Sequence, residues 1–537
     1  MEIRRIDEQD VEGTIAVYHA VYGDGFPFQE FYDARWVKKG VFDDDIAWFV
    51  AEDDGQIVGS AAVMLNVGDA DDLIGEFGRL VVDPEARSGG IGTRLIEACL
   101  AHAQGRVEVG FAECRVAHPG AQKICSRSGF APVGFEPLAY KLAGNRESVA
   151  FMATVGPNAL QLRKNNPHTI ASVYPLGSAA LRAVGCEPDL IAESSPESYP
   201  IDDTVAVGAP KGEYDYRLLR IGKGRVVDRE VFGGVRLEYG FLKLAAHQAQ
   251  YLVAEREGQP VGAAGFVHDP IDEKVRLTEL IAVSDAVKGS LLKAFVEHVT
   301  QAHGPAYVQV DVRADSPRMQ QSLWELGFVP VAYFPAMVFE QVERLDVVKM
   351  VRLTVPWDLG PIEMIDSVVP FKELVEAAFV ERHRGAVIAD VTRRVRIFQG
   401  LGDWDVERLR AICSETRLRR DQRVFVEGDP GQELYVVVEG EVQIVADRES
   451  RQVLASIGPG EVFGELALVD GLPRSAGATC AQDSTLLVLQ ASDFRQLTAR
   501  HPAIGRTVLL NLCRTLSSRL RAADQALESL ERRETSP

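Results

Sequence analysis

The sequence predicts a multidomain α/β (α+β) protein: two mixed-sheet domains of similar pattern, then a β-roll followed by a C-terminal helix. Three observations predict it. The chain has 537 residues, too long for one hydrophobic core at ~100–200 residues per domain. Strand and helix patterns alternate over 1–145 and again over 236–356. From about residue 396 the pattern becomes all-β, with a glycine every several residues, until a long helical pattern runs from Ile504 to Leu530.

Taken in order, IAWFVAED from Ile46 and IVGSAAVML from Ile57 read as a hairpin about Asp53–Gly55. FGRLVV (77–82) reads as an apolar strand, and TRLIEACLAHA (93–103) as a helix after a Gly-rich turn. Residues 146–235 are rich in Pro, Gly, Ser and Glu, with helical stretches such as SAALRAV from Ser178, and read as a connecting segment. The α/β pattern then returns through QYLVAERE, VGAAGFV and LTELIAV, a helix from Ser290 to Ala302, and YVQVDV. A bridging segment (357–395) leads to the roll and helix of 396–537.

Composition narrows the function. An apolar fraction of 46% with 25% charged residues is that of a globular protein. The formal charge of −20 argues against sequence-independent attraction to nucleic acid or anionic lipid. The cysteines (Cys99, Cys114, Cys125, Cys186, Cys413, Cys480, Cys513) are far apart, with no CxxC pair and no His-rich tract, so neither a zinc site nor a disulfide framework is expected. The N-terminus MEIRRIDEQD has no apolar core of a signal segment, and no run of ~18 apolar residues occurs. A cytoplasmic protein without metal is expected.

The sharpest N-terminal signal is LVVDPEARSGGIGTRL, Leu80 to Leu95. A strand ends at Val82, and Arg87-Ser88-Gly89-Gly90-Ile91-Gly92 opens a helix, so backbone N–H groups and the helix dipole can approach a diphosphate. With His118-Pro-Gly-Ala121 and Ser128-Gly129-Phe130 downstream, this resembles the GNAT acetyltransferase superfamily over 1–145. The resemblance implies an acyl-coenzyme A co-substrate such as acetyl-CoA. Its pyrophosphate would rest on the loop of Arg87, Gly89, Gly90, Gly92 and Thr93, and its pantetheine arm on the backbone of Leu80 and Val82. His118 stands where the family often has a coenzyme-contacting Asn.

Amide formation needs a base for the amine and an acid for the leaving thiolate. Glu76, eleven residues before Arg87, matches the register of the general-base Glu in the protein-lysine branch, with a solvated strand-end carboxylate as the plainer reading. The family's thiolate-protonating Tyr is absent, and Cys125 occupies its place, as proton donor or as a small buried hydrophobe.

DSPRMQQSLWELGFVPVAYF (Asp315–Phe334) parallels AHPGAQKICSRSGFAPVGF of the first copy, but the loop VSDAVKGSLLKA is about four residues shorter and keeps only Gly289. The region 236–356 thus resembles the same family in fold only, a degenerate copy expected to pack on the first and shape its acceptor site, with an independent second active site as the alternative.

In the C-terminal part, RVFVEGDPGQELYVVVEGEVQIV (Arg423–Val445) alternates between Gly turns, and FGELAL from Phe463 reads as a short helix facing an anion. Arg474 of Pro473-Arg474-Ser475-Ala476 offers a two-donor clamp, Ser475 a hydroxyl and Glu465 an acceptor for a ribose hydroxyl. This resembles the cyclic-nucleotide-binding domain over about 396–520. The resemblance implies contacts through Gly464, Glu465, Leu466, Arg474 and Ser475, with cyclic AMP favoured over cyclic GMP. A helix-turn-helix after it, and so DNA binding, is not expected. Leu509, Leu512, Leu516 and Leu520 recur at helical spacing, as a lid on the roll or as a homodimer coiled coil.

The expected function is a cyclic-nucleotide-regulated N-acyltransferase acting on an amine, a protein lysine or a small molecule, without nucleic-acid or membrane partners. It resembles the bacterial lysine acetyltransferases that join these modules, though with their usual order reversed. The alternative is a non-catalytic acyl-CoA and cyclic-nucleotide sensor acting through partner proteins.

Overall fold

A computed structural model describes residues 1–24, 26, 28–65, 67, 70–86, 89–142, 145–194, 196–210, 231, 250–355, 359, 362–401, 409, 412–446, 452–465, 472–500 and 502–534. The chain forms two compact units, Met1–Phe379 and Val380–Pro537.

The first unit opens with β1 (Glu2–Arg5), α1 (Val11–Tyr22), α2 (Ala34–Val41), β2 (Ile46–Asp53) and β3 (Gln56–Met64). The expected β2–β3 hairpin is present, turning at Asp54 and Gly55, both at positive φ. Next come β4 (Ile74–Val82), α3 (Ile91–Ala103), β5 (Val109–Arg115), α4 (Gly120–Arg127), β6 (Ala131–Leu142) and β7 (Asn145–Val155). Strand β7 lies in what the sequence assigns to the connecting segment. It is instead an inner strand, bonded to β5 on one side and β6 on the other. Its apolar run VAFMATV is buried on both faces, so it lacks the alternation that marks a half-exposed strand.

The rest of that segment holds α5 (Pro157–Gln161), a parallel pair β8 (His168–Ile170) and β9 (Ile191–Glu193), α6 (Tyr174–Ala183) and β10 (Ala206–Gly208). Strand β10 is also claimed by the sheet, pairing with β11 (Gln250–Arg256). There follow β12 (Gln259–Asp269), β13 (Lys274–Ala282), α7 (Asp285–Ala302), β14 (Tyr307–Arg313), α8 (Pro317–Glu325), β15 (Val329–Glu340) and β16 (Glu343–Leu353).

The first half is ordered β1-β2-β3-β4-β5-β7-β6, and the second, from its own edge, β10-β11-β12-β13-β14-β16-β15. The two share one topology and join where β6 meets β15 antiparallel, Gly134 opposite Ala332, to give a single fourteen-stranded sheet. A side chain at 134 would stand 2.3 Å from the Ala332 Cβ and 2.6 Å from the Val331 oxygen, so only glycine permits that approach.

In the second half, the segment Tyr199–Asp202 crosses the start of α7. Asp202 N–H donates to Ser290 Oγ at 2.9 Å, and Tyr199 N–H donates to Ser322 Oγ at 2.8 Å. The Pro200 carbonyl lies so close to Gly289 that a Cβ there would meet it at 2.1 Å.

The helix α9 (Val369–Arg394) leads toward the second unit. Here β17 (Cys413–Leu418), β18 (Arg423–Phe425), β19 (Glu433–Glu439), β20 (Val442–Val445), β21 (Val453–Ile457), β22 (Val462–Phe463), β23 (Gly477–Cys480) and β24 (Ser484–Gln490) form two four-stranded sheets, β17-β24-β19-β22 and β18-β23-β20-β21. Val437, Val442, Phe463, Ala478 and Leu486 fill the space between. Helices α10 (Ala491–Arg500) and α11 (Pro502–Glu534) follow. Helix α11 buries Ile504, Val508 and Leu512 against Leu434, Val436 and Leu489, with Leu516 partly covered. Leu509, expected on the packed face, is exposed, and the side chain of Leu520 lies outside the described residues. Among the described residues no helix is long and apolar enough to cross a membrane.

Candidate functional site

Strands β4 and β5 run parallel but pair only from Ile74–Val109 to Glu76–Phe111, although β4 continues to Val82 and β5 to Arg115. Beyond Glu76 the two strands splay. The departure coincides with a bulge: the register with β3 shifts where Ser60 faces Val81 and Ala62 faces Gly78, and Arg79 takes φ +55°. The Tyr18 hydroxyl on α1 donates to the Arg79 carbonyl at 3.4 Å.

Leu80 and Val82 lie half-buried on the splayed part of β4. Beyond it, Gly89 (φ +87°) and Gly90 (φ +71°) stand exposed at the head of α3, with Gly92 and Thr93 in its first turn. Arg87 lies outside the described residues, as does Ser88. His118 is in the exposed turn between β5 and α4, its Nδ1 accepting from the Gly120 N–H at 3.3 Å. Strand end, glycine turn, helix head and His118 therefore share one end of β4 and β5.

Glu76 lies where the strands part. Its carboxylate is bound by the Arg79 guanidinium, Oε1 to Nη1 2.6 Å. Two residues along β5 from the partner of Glu76 comes Glu113, which accepts from the Tyr140 hydroxyl on β6. Glu113 is exposed on the open crevice, yet the crevice walls and the charges of Glu76 and Glu136 push its carboxyl up. Sequence reasoning passed over this pair. The signal available was one carboxylate inside the otherwise apolar strand VGFAECR. Cys125 is 3% exposed, its Sγ 3.6 Å from that of Cys114 on the far side of β5, and it packs as a buried apolar thiol.

The second half contributes charge near this crevice. Lys349 on β16 lies 3.4 Å from Asp311 and faces Glu113, and Lys274 lies 3.5 Å from the buried Glu136. The Lys274 ammonium also sits 4.7 Å from the Tyr140 ring centre.

In the roll, Arg474 is buried, its side chain 5% exposed. It donates to the Glu433 carbonyl at 2.9 Å and to the Gly464 carbonyl at 3.3 Å, pairs with the Glu433 carboxylate at 2.8 Å, and stacks 4.3 Å from the Phe425 ring centre. Its Nε is buried with no hydrogen-bond partner among the described residues. Gly464 (φ +71°) closes on this guanidinium: a Cβ there would meet Nη1 at 2.7 Å. Glu465 is buried and Ser475 exposed beside it. Leu466 and the rest of the expected short helix lie outside the described residues. Glu433 is the roll residue that sequence reasoning missed. Its position after Gly431-Gln432, at the start of an apolar strand, looks like an ordinary turn-to-strand carboxylate.

Residues 44–132 match the acetyltransferase (GNAT) domain family, and residues 415–501 the cyclic nucleotide-binding domain family. The chain is similar to the cyclic AMP receptor protein of Thermus thermophilus, 35% identical over 25% of this chain and 61% of that protein. It is similar also to the CRP-like cAMP-activated global transcriptional regulator of Mycobacterium tuberculosis, 30% identical over 26% of this chain and 62% of that one. A crystal structure of the Thermus thermophilus catabolite activator protein matches at 36% identity, over 25% of this chain and 63% of that chain, with a TM-score of 0.24. The chain therefore spans less than two thirds of the length of these relatives. Residues 44–132, which hold the splayed strands and the glycine turn at the helix head, thus match an acetyltransferase (GNAT) domain, and residues 415–501, which hold the buried arginine of the roll, match a cyclic nucleotide-binding domain.

Proposed function

We propose that this protein transfers an acetyl group from acetyl-CoA to an amine and that a cyclic nucleotide bound in the roll sets the rate. The observation that carries the first part is the splay of β4 from β5 leading into the glycine turn at the head of α3. On the side of β4 that parts from β5, backbone groups of Leu80 and Val82 would hold the pantetheine arm as a strand partner would. The N–H groups of Gly89, Gly90, Gly92 and Thr93 at the helix dipole would hold the diphosphate, with Arg87 beside them and His118 at the rim. The attacking amine would meet the thioester beside Glu76. The second half would offer no such cradle, because Tyr199–Asp202 already lies over the start of α7.

In the roll, a cyclic phosphate fits the buried Arg474, whose Nε has no acceptor among the described residues, with Gly464, Glu465, Leu466 and Ser475 as the further proposed contacts. Cyclic AMP is the proposed ligand, in keeping with the relatives named for it. The sensor reading draws support from the burial of Cys125, which leaves its position without an accessible acid.

Thiol release from acetyl-CoA, measured with a lysine-bearing peptide and with and without cyclic AMP, separates the two. The enzyme reading expects turnover that changes on the order of 5–150-fold with nucleotide. Coenzyme binding without thiol release would move the assignment to the sensor.

A further inference from the structure

The carboxylate best placed to take a proton in the crevice is not the one the sequence singles out. Glu76 and Glu113 stand on adjacent parallel strands, on one face, at the point where the strands part. Their surroundings differ. Glu76 is half-buried, and one of its carboxylate oxygens is already engaged by the Arg79 guanidinium of its own bulged strand at 2.6 Å. Among the described residues Glu113 has no cation in bonding contact. It is exposed to the crevice, and among those residues it accepts a hydrogen bond from the Tyr140 hydroxyl. Opposite faces of the strand separate the roles: Cys114 points the other way, into the core against Cys125.

We propose that Glu113, positioned by Tyr140, is the base that accepts the proton of the acceptor amine, and that Glu76 and Arg79 form a fixed ion pair beside it. The assignment rests on the acetyltransferase reading above. In the step, the nitrogen lone pair forms the C–N bond to the thioester carbon. The C–S bond breaks with its electron pair leaving on sulfur. The ammonium proton passes to the Glu113 carboxylate, which returns it to solvent, and the thiolate takes up a proton from water, so that amide and thiol are the net products.

The groups facing Glu113 from the packed elements are Glu76 on β4, Glu136 and Tyr140 on β6, and Lys349 on β16. Desolvation by the crevice walls and the two carboxylates raise the Glu113 carboxyl, while Tyr140 and Lys349 lower it. Activity that needs ionised Glu113 is lost as pH falls through its raised value. That sign gives opposite shifts for two variants. Glu76→Gln removes a neighbouring negative charge and moves the acid limb of the rate profile to lower pH. Tyr140→Phe removes a donor to the carboxylate and moves the limb to higher pH.

The test is thiol release from acetyl-CoA with a lysine-bearing peptide, over pH 5–9, in the full chain and in Glu113→Gln, Glu76→Gln and Tyr140→Phe, with acetyl-CoA affinity measured in each. The proposal expects Glu113→Gln to lose on the order of 10²–10⁴ in kcat while still binding acetyl-CoA. Glu76→Gln should lose less rate than Glu113→Gln, with its limb displaced downward. A collapse in Glu76→Gln, with Glu113→Gln left active, overturns it. If Glu113→Gln loses coenzyme binding as well, Tyr140→Phe decides: an unmoved acid limb overturns the assignment. A protein that releases no thiol before any substitution takes down the acetyltransferase reading itself, an outcome visible without the variants.

Discussion

At Arg474 the roll holds a buried cation whose partner is a carboxylate of the same chain. Glu433 is 29% exposed and pairs with it at 2.8 Å, and the same carboxylate would compete with a bound phosphate for the guanidinium. Glu433→Gln keeps the shape and removes the charge. An ion pair this exposed at one end contributes about 1 kcal/mol, so the substitution should tighten cyclic AMP binding by about 5-fold. Calorimetric titration checks this, and unchanged or weakened binding would show that Glu433 does not compete. At the same scale, Arg474 was legible as a buried charge beside the turn at Gly464, where a guanidinium needs an anionic partner. Glu113 was not legible. Its role depends on Tyr140 from a strand 27 residues later and on Glu76 across a splay, and neither distance is written in local sequence.

Among the elements, β6 and β15 set how the two halves of the first unit meet. Gly134 against Ala332 is their closest approach, and any larger residue must push the strands apart. Overpacking of this kind costs ~1–3 kcal/mol, so Gly134→Ala should lower the midpoint of thermal unfolding by several degrees. An unchanged midpoint would mean that the junction is looser than its contacts imply. The hairpin β2–β3 and the helix α3 were readable because alternation, a turn dipeptide and helical period sit in consecutive residues. Strand β7 was not, since a strand buried on both faces has no alternation to detect. For α11 the period was right and the face was off. Ile504, Val508 and Leu512 form the buried stripe, and a leucine-only reading turned the helix toward Leu509.

For the whole molecule, the internal repeat was legible from two similar stretches that end in Gly-Phe-x-Pro-Val, and the shared strand order accounts for them. Their fusion into one sheet was not, because it pairs strands nearly 200 residues apart, with Gly134 opposite Ala332. Regulation is a property of the entire chain, and thermodynamic linkage gives it a checkable form. If cyclic AMP changes the affinity for acetyl-CoA by some factor, acetyl-CoA must change the affinity for cyclic AMP by the same factor. The most direct measurement is therefore calorimetric titration of cyclic AMP into the full chain, with and without saturating acetyl-CoA, repeated on Arg474→Ala. The account predicts binding that is lost in Arg474→Ala and that shifts on the order of 5–150-fold when acetyl-CoA is present. Binding that survives the loss of Arg474, or that is indifferent to acetyl-CoA at every pH tested, would contradict it.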